Sequence, residues 1–334
     1  MAMSTNARNG TLGVVVIGRN EGTRLERALR AILPHTNKVV YADSGSSDGS
    51  PDVARTLGVF VIELDDSAAH TAARGRREGV SVLLERHPEC EFVQFVDGDC
   101  IVDPQWIGAA LAFLDSNPSV AAVCGRRREQ SPLASAYNHL CDDEWNTPVG
   151  EAEACGGDAM MRVRALQEVG GFRADLRAGE EPELCSRLRR AGWKVWRLDA
   201  PMTEHDAAIH RFGQWWRRAL RGGFGYAQVH QVTTVAGTPL YRRQLQSAAL
   251  WVAGIPLASV LLALLTSQSL LLLAPVLLWA LQIARIAVRR GPSSAWSWQS
   301  AALLMIAKVP ELIGAIRFIL QRERSGALEY KAAR

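Results

Sequence analysis

Phe92-Val93-Gln94-Phe95-Val96-Asp97-Gly98-Asp99 is a short apolar, aromatic and β-branched run that ends in two carboxylates around a glycine. Such a run is a buried strand. In extended chain, residues i and i+2 point to one face, so Asp97 and Asp99 share a side. Gly98 lets a ligand come close to the backbone. Two carboxylates at a strand end repel each other unless a cation lies between them, and a hard divalent ion with a nucleotide diphosphate suits them. Standing alone, so short a pattern is no more than an acidic turn.

The preceding chain supplies the context. Residues 12–17, before Gly18, form a first strand, residues 39–41 a second and residues 59–64 a third. Thr23-Arg24-Leu25-Glu26 matches a capping box that opens a helix with Leu25, Leu29, Ile32 and Leu33 on its apolar face, ended by Pro34. Asp43-Ser44-Gly45-Ser46-Ser47-Asp48-Gly49 is a dense turn signal, after which Ser50 is expected to cap a helix with Pro51 at its first position. Residues 71–85 are the next helix. Strands alternating with helices at this spacing predict an α/β fold: a mainly parallel sheet with helices on both faces. Ligands of such sheets bind at the carboxyl ends of strands, which points to Asp43 and to Asp97-Gly98-Asp99.

Five stretches in order strengthen that reading: residues 14–21, residues 43–50, Ala72-Ala73-Arg74, residues 95–99, and Gly170-Gly171-Phe172 ahead of Gly179-Glu180-Glu181-Pro182-Glu183-Leu184. Together they resemble the inverting family-2 glycosyltransferases of the GT-A fold, over about residues 11–230. The resemblance implies a nucleotide-sugar donor, Mg²⁺ or Mn²⁺ as cofactor, and a role for each matching position. Asp43 would contact the base or ribose, Arg74 would lie beside the nucleotide, Asp97 would reach the ribose, and Asp99 would ligate the metal. Glu181 stands where the family has its catalytic Asp; the Glu180-Glu181 pair replaces the usual Glu-Asp, and either carboxylate could be the base. Glu181 precedes Pro182, read as the first helical residue, where a helix N-terminus favours an ionised carboxylate. His205 is a candidate further metal ligand, or else a structural histidine. Gln214-Trp215-Trp216-Arg217-Arg218 partly resembles the Gln-x-x-Arg-Trp motif of processive members, with Arg218 in place of the final Trp; Gln214, Arg217 and Arg218 would then help hold the diphosphate. The same stretch also fits an amphipathic helix at a membrane surface. Arg126-Arg127-Arg128 is expected to be a solvated loop.

The C-terminal part differs in kind. Residues 1–206 carry 23 Lys/Arg against 31 Asp/Glu, whereas residues 207–334 carry 15 against 3. An acidic part in water and a basic, apolar part at an anionic membrane is the simplest division. Residues 244–284 hold no charge; as one helix they would span about 61 Å, twice a bilayer core of about 30 Å. Two transmembrane helices are predicted, about 246–265 and about 269–288, turning at Thr266-Ser267-Gln268-Ser269. Arg242 and Arg243 before this hairpin, and Arg285, Arg289 and Arg290 after it, place both ends on the cytoplasmic side. Residues 299–320 read as one interfacial amphipathic helix broken or bent at Pro310. The predicted domains are 1–230 and 231–334.

Six scattered cysteines without metal spacing are expected to be buried free thiols, and residues 1–10 show no signal peptide. The expected activity is transfer of a sugar to a hydroxyl acceptor, a lipid or lipid-linked saccharide, with membrane lipids as further partners and no nucleic acid. The enzyme would sit in the inner membrane with its site facing the cytosol. A processive polysaccharide synthase, a non-catalytic nucleotide-binding scaffold and a nucleotidyltransferase are the alternatives. The last is disfavoured because Gly18-Arg19-Asn20-Glu21 is no Gly-rich basic phosphate loop.

Overall fold

A computed structural model describes residues 11–332, with side chains from Thr11 to Gln321. The expectation for residues 1–10 lies outside the described residues. The chain divides into two compact units, one of residues 1–133 and 141–208, the other of residues 134–140 and 209–334.

In the first unit, the apolar runs become strands β1 (Leu12–Gly18), β2 (Val39–Asp43), β3 (Phe60–Glu63) and β4 (Phe92–Asp97), which pair in parallel in the order β3-β2-β1-β4. Helices α1 (Thr23–Ile32), α2 (Ser50–Thr56) and α3 (Ala72–Arg86) connect them. Beyond β4 the sheet becomes mixed. β5 (Cys100–Val102), helix α4 (Trp106–Ser116), the long β6 (Val120–Glu129), α5 (Ala136–Trp145), β7 (Gly150–Glu151), β8 (Ala159–Arg162), α6 (Val163–Glu168), α7 (Glu180–Arg190) and β9 (Lys194–His205) follow in the chain. β8 lies between β4 and β6, antiparallel to both. β9 runs parallel to β6 and carries β5 and β7 antiparallel. The α/β expectation is met, with the antiparallel half added.

Local chemistry explains most of these elements. On α3, Gly75 and Gly79 face β1: a Cβ on Gly79 would meet Val15 at 2.5 Å, so the helix lies directly on the strand. Gln94, the one polar side chain within β4's apolar run, is fully buried and satisfied, accepting from the Trp106 indole at 2.8 Å and donating to the Phe95 carbonyl. All six cysteines are buried free thiols.

Two expected caps fail. α1 is capped by Gly22 at φ 53°, not by Thr23, and Glu26 pairs forward with Arg30 at 2.8 Å instead of reaching back. α2 is capped by Gly49; the Ser50 hydroxyl donates to Asp48 and accepts from the Gly22 N–H, tying two loops together. At α1 an i,i+4 partner within the helix takes Glu26 from the cap, and at α2 the neighbouring loop takes Ser50.

In the second unit, α8 (Phe212–Val235) is followed by an apolar helix that begins as α9 (Arg242–Ala249), widens into a π turn at Leu250–Gly254 and continues as α10 (Ile255–Thr266). Pro256 explains the widened turn, because it has no N–H for the carbonyl four residues back. After a turn at Ser267 (φ 55°), a 3₁₀ stretch Ser269–Leu273 leads into α11 (Ala274–Arg290). The segments Arg242–Thr266 and Ser269–Arg290 are each long and apolar enough to cross a membrane. Leu257, Leu261, Leu264, Leu265, Leu277 and Leu281 are exposed along them. The Trp279 indole donates to the Trp251 carbonyl at 3.1 Å.

The single amphipathic helix expected at 299–320 is instead two, α12 (Ala295–Ile306) and α13 (Lys308–Ala332). The break falls at Ala307, three residues before Pro310, which puts the proline in the first turn where its missing N–H costs nothing. α8 and α13 cross backbone to backbone. A Cβ on Gly223 would lie 2.0 Å from the Glu311 carbonyl oxygen, and one on Gly314 would lie 2.1 Å from that of Leu220.

Candidate active site

The carboxyl end of β4 delivers Asp97, and the tight turn after it delivers Asp99, held where the Gly98 N–H donates to the Ile17 carbonyl at 2.7 Å. Opposite lies the start of α7. Gly179 takes φ 82°, a backbone turn that glycine adopts without steric cost, and so brings Glu180 and Glu181 into the first turn of the helix. Both precede Pro182, which is the third helical residue and not the first as expected.

A residue absent from the sequence reading joins these two acidic elements. Arg76, on α3, is buried; its Nη1 lies 2.6 Å from Glu180 and 3.1 Å from Glu181, and its Nη2 lies 2.7 Å from Asp97. Arg127 approaches Asp97 from the other side at 3.0 Å and lies 3.4 Å from Asp158. Asp158 accepts from the Asp97 N–H at 3.0 Å and from the Thr203 hydroxyl at 2.8 Å. The expected solvated loop at 126–128 is therefore strand β6. Buried carboxylates draw the guanidinium inward, since a buried charge needs paired partners.

The electrostatics follow from this lattice. Burial would raise Asp97, but Arg76 and Arg127 together hold it down at about 2. Glu181 goes the other way: burial first and Glu180 second, against the pull of Arg76, raise it to about 7. The helix N-terminus does not keep Glu181 in the ordinary carboxylate range. Burial and the nearby Asp99 likewise raise Glu21.

Gly157 is what allows the Arg76–Asp97 pair. A Cβ there would sit 2.3 Å from Arg76 Nη2 and 3.0 Å from Asp97 Oδ2. Gly157→Ala is expected to split this ion pair and lower activity about 100-fold or more, as misplacement of reacting groups by about 1 Å does. The measurement is kcat/KM beside a melting curve, to separate misplacement from unfolding.

Asp99 and His205 face each other, with Nε2 of the imidazole 3.3 Å from the carboxylate. Nδ1 of His205 is buried and has no hydrogen-bond partner. One carboxylate and one imidazole are donors that suit Mn²⁺ or Mg²⁺ with completion by diphosphate and water oxygens. Cys100 is close to both, and burial pushes its thiol well above the usual range. Around this point Glu21, Asp97, Asp99, Asp158, Glu180 and Glu181 outnumber Arg24, Arg76 and Arg127. That excess negative charge fits a divalent cation.

The remaining expected residues make other contacts. Asp43 is buried and spends its carboxylate within its own turn, accepting from Tyr41 Oη at 2.7 Å, the Gly45 N–H at 2.9 Å and the Ser46 N–H at 2.7 Å. It shapes the loop after β2 and has little left for a ligand. Arg74 pairs with Asp65 and Glu78 at 2.5 Å each and donates to the Asp65 and Ala68 carbonyls, bracing residues 65–69. Gln214, Arg217 and Arg218 lie in the first turns of α8 in the second unit. The Gln214 carboxamide accepts from the N–H groups of His210 and Arg211 and so caps the helix. Arg76 was legible in principle: it shares a helical stripe with Val80 and Leu83, at i+4 and i+7, so it is a charge on a buried face.

The family model described as "Glycosyl transferase family 2" matches residues 13–170, and that described as "Glycosyl transferase family group 2" matches residues 145–288. The chain belongs to the family-2 glycosyltransferases. Among curated members it is 26% identical to "Succinoglycan biosynthesis protein ExoA" of Rhizobium meliloti, over 59% of this chain and 64% of that protein. It is 24% identical to "Pre-mycofactocin glycosyltransferase" of Mycobacterium tuberculosis, over 63% of this chain and 46% of that protein. The chain thus spans less than two thirds of either relative's length. Among solved structures, the mannosyltransferase PcManGT from Pyrobaculum calidifontis, in complex with GDP-Man and Mn²⁺, superposes with a TM-score of 0.61 at 18% identity, over 92% of this chain and 87% of that one. This family-2 member therefore has the GT-A fold.

Proposed function

We propose that the protein is a metal-dependent inverting glycosyltransferase that moves a sugar from a nucleotide diphosphate to an acceptor hydroxyl. The observation that carries this is Arg76, which ties the acidic tip at Asp97 to the Glu180–Glu181 pair. Groups of two functions, leaving-group handling and proton removal, are thereby held at a fixed spacing. Mn²⁺ or Mg²⁺ held by Asp99 and His205 would neutralise charge on the departing diphosphate.

The chain's own residues do the rest. Glu181 takes the acceptor proton as the acceptor oxygen bonds to the anomeric carbon and the bond from that carbon to the diphosphate oxygen breaks. One displacement inverts the centre, and the diphosphate leaves with the electron pair. Glu181 is the base and not Glu180: Glu180 is held more tightly by Arg76, and Glu181 binds its proton more strongly than an ordinary carboxylate. A base near the working pH is well matched to its task. Arg76 and Arg127 keep Asp97 ionised and in place.

A base that must be ionised, with a value near 7, predicts a rate that climbs with pH. kcat/KM should fall about tenfold per unit below pH 6.5 and level off above pH 7.5. A profile flat from pH 5.5 to 8 would remove Glu181 from this role. The activity itself is tested by incubating purified protein with a panel of nucleotide sugars, with and without Mn²⁺. A donor is expected to raise the melting temperature only with the metal present, by mass action of about 2.7 kcal/mol at 100 times its dissociation constant.

We further assign the first compact unit to the transferase domain and the second, from residue 209 on, to the membrane domain, integral to the inner membrane; the expected boundary at 230 would fall inside α8. The exposed apolar helices support insertion, and the arginines at both of their ends support a cytosolic site. The acceptor is a lipid or lipid-linked saccharide, the class favoured by such an anchor. Transfer confined to water-soluble acceptors would count against it.

A further inference from the structure

We propose that Trp145 is the positioning residue that fixes the metal-binding imidazole and the half-buried guanidinium beside it. The proposal rests on the metal site assigned above to Asp99 and His205. Trp145 closes helix α5 and is half-buried. Its ring meets the His205 ring at 4.8 Å between centroids and 77°, edge to face. The Arg127 guanidinium lies over the same indole at 4.9 Å.

The imidazole needs such a brace. A metal-binding histidine is ordinarily oriented by a hydrogen bond at its second ring nitrogen. Here Nδ1 of His205 is buried and bonded to nothing, so among the described residues Asp99 at Nε2 is the one polar group that faces the ring and none at Nδ1 sets its plane. Packing must set it, and the large flat group against it is Trp145. The same indole caps Arg127, whose Nη2 holds Asp97 and whose Nε faces Asp158. One side chain thus holds a metal ligand on one side and the partner of the acidic tip on the other. An aromatic ring of similar size can replace it; a flexible or small side chain cannot, since it leaves the imidazole free to turn and the guanidinium free to tilt.

The test uses full-length protein in nanodiscs and reads Mn²⁺ binding directly, from the free-Mn²⁺ electron paramagnetic resonance signal, without turnover. Trp145→Ala and Trp145→Leu are expected to weaken Mn²⁺ affinity about tenfold or more, the usual range for loss of an orienting partner. Trp145→Phe should hold affinity within about threefold of the unaltered protein, because it keeps a ring against both partners. The Leu variant guards against loss of fold in the Ala variant, and melting curves report on both. Unaltered Mn²⁺ affinity in folded Ala and Leu variants overturns the proposal while leaving the metal site standing. Failure of the unaltered protein itself to bind millimolar Mn²⁺ overturns the metal site, and this inference with it.

Discussion

Replacing Glu181 with glutamine is expected to stop transfer and to stabilise the fold. A positioned base contributes about 10²–10⁴-fold, so kcat should fall about a thousandfold. The stability effect follows from linkage. Folding raises Glu181 from 4.5 to about 7, so the folded state is favoured while the group is protonated. That advantage is complete below pH 4.5 and is lost as pH rises through 7, where the buried charge costs up to about 3 kcal/mol. Glutamine carries no such cost. The variant should therefore melt several degrees above the unaltered protein at pH 8 and at nearly the same temperature at pH 4.5. Paired melting curves at the two values decide it. A variant that melts lower at pH 8 would mean that the Arg76 contact at 3.1 Å outweighs the burial cost.

Asp99→Ala is the second large effect. Asp99 supplies the carboxylate of the metal pair, and a metal's stabilisation of a leaving diphosphate is worth several kcal/mol, about a thousandfold in rate. Loss of that magnitude in initial rate, together with loss of Mn²⁺ binding by isothermal titration, is expected. Full biological activity retained by Asp99→Ala despite loss of turnover would leave a non-catalytic nucleotide-binding scaffold as the better description. The contrast with Glu181→Gln is diagnostic: the Gln variant should still bind Mn²⁺ and donor.

The parts of this architecture visible in sequence are those set by near neighbours in the chain. Apolar runs fix β1, β2 and β4; strand alternation does not place Asp99, because Asp97 closes β4 and Asp99 lies in the turn after it. The uncharged stretch at 244–284 is twice the length of one span, which reads as two membrane helices or a buried helical hairpin, and two helices long and apolar enough to cross a membrane formed. The site's electrostatic frame was hidden. Arg76 finds Glu180 104 residues away, and Arg127 reaches Asp97 across 30. Only the apolar stripe with Val80 and Leu83 sets Arg76 apart from the exposed Arg77, and nothing local sets Arg127 apart from the exposed Arg128. The base's proton affinity is hidden for the same reason: a helix start is a local feature, whereas the burial that overrides it is not. Asp43 and Arg74 stood at the right strand and helix, yet both spend their charge on loop construction.

The crossing of α8 and α13 has a mechanical consequence. At Gly223 and Gly314 each helix meets the other's main chain with no side chain in between. A slide of one turn, about 5.4 Å, would carry Leu220 or Ala227 into the gap that only a hydrogen atom fits. The two rods can neither ratchet nor roll past one another. Whatever displacement this unit undergoes must carry them as a single beam, with its give confined to joints such as the widened turn ahead of Pro256.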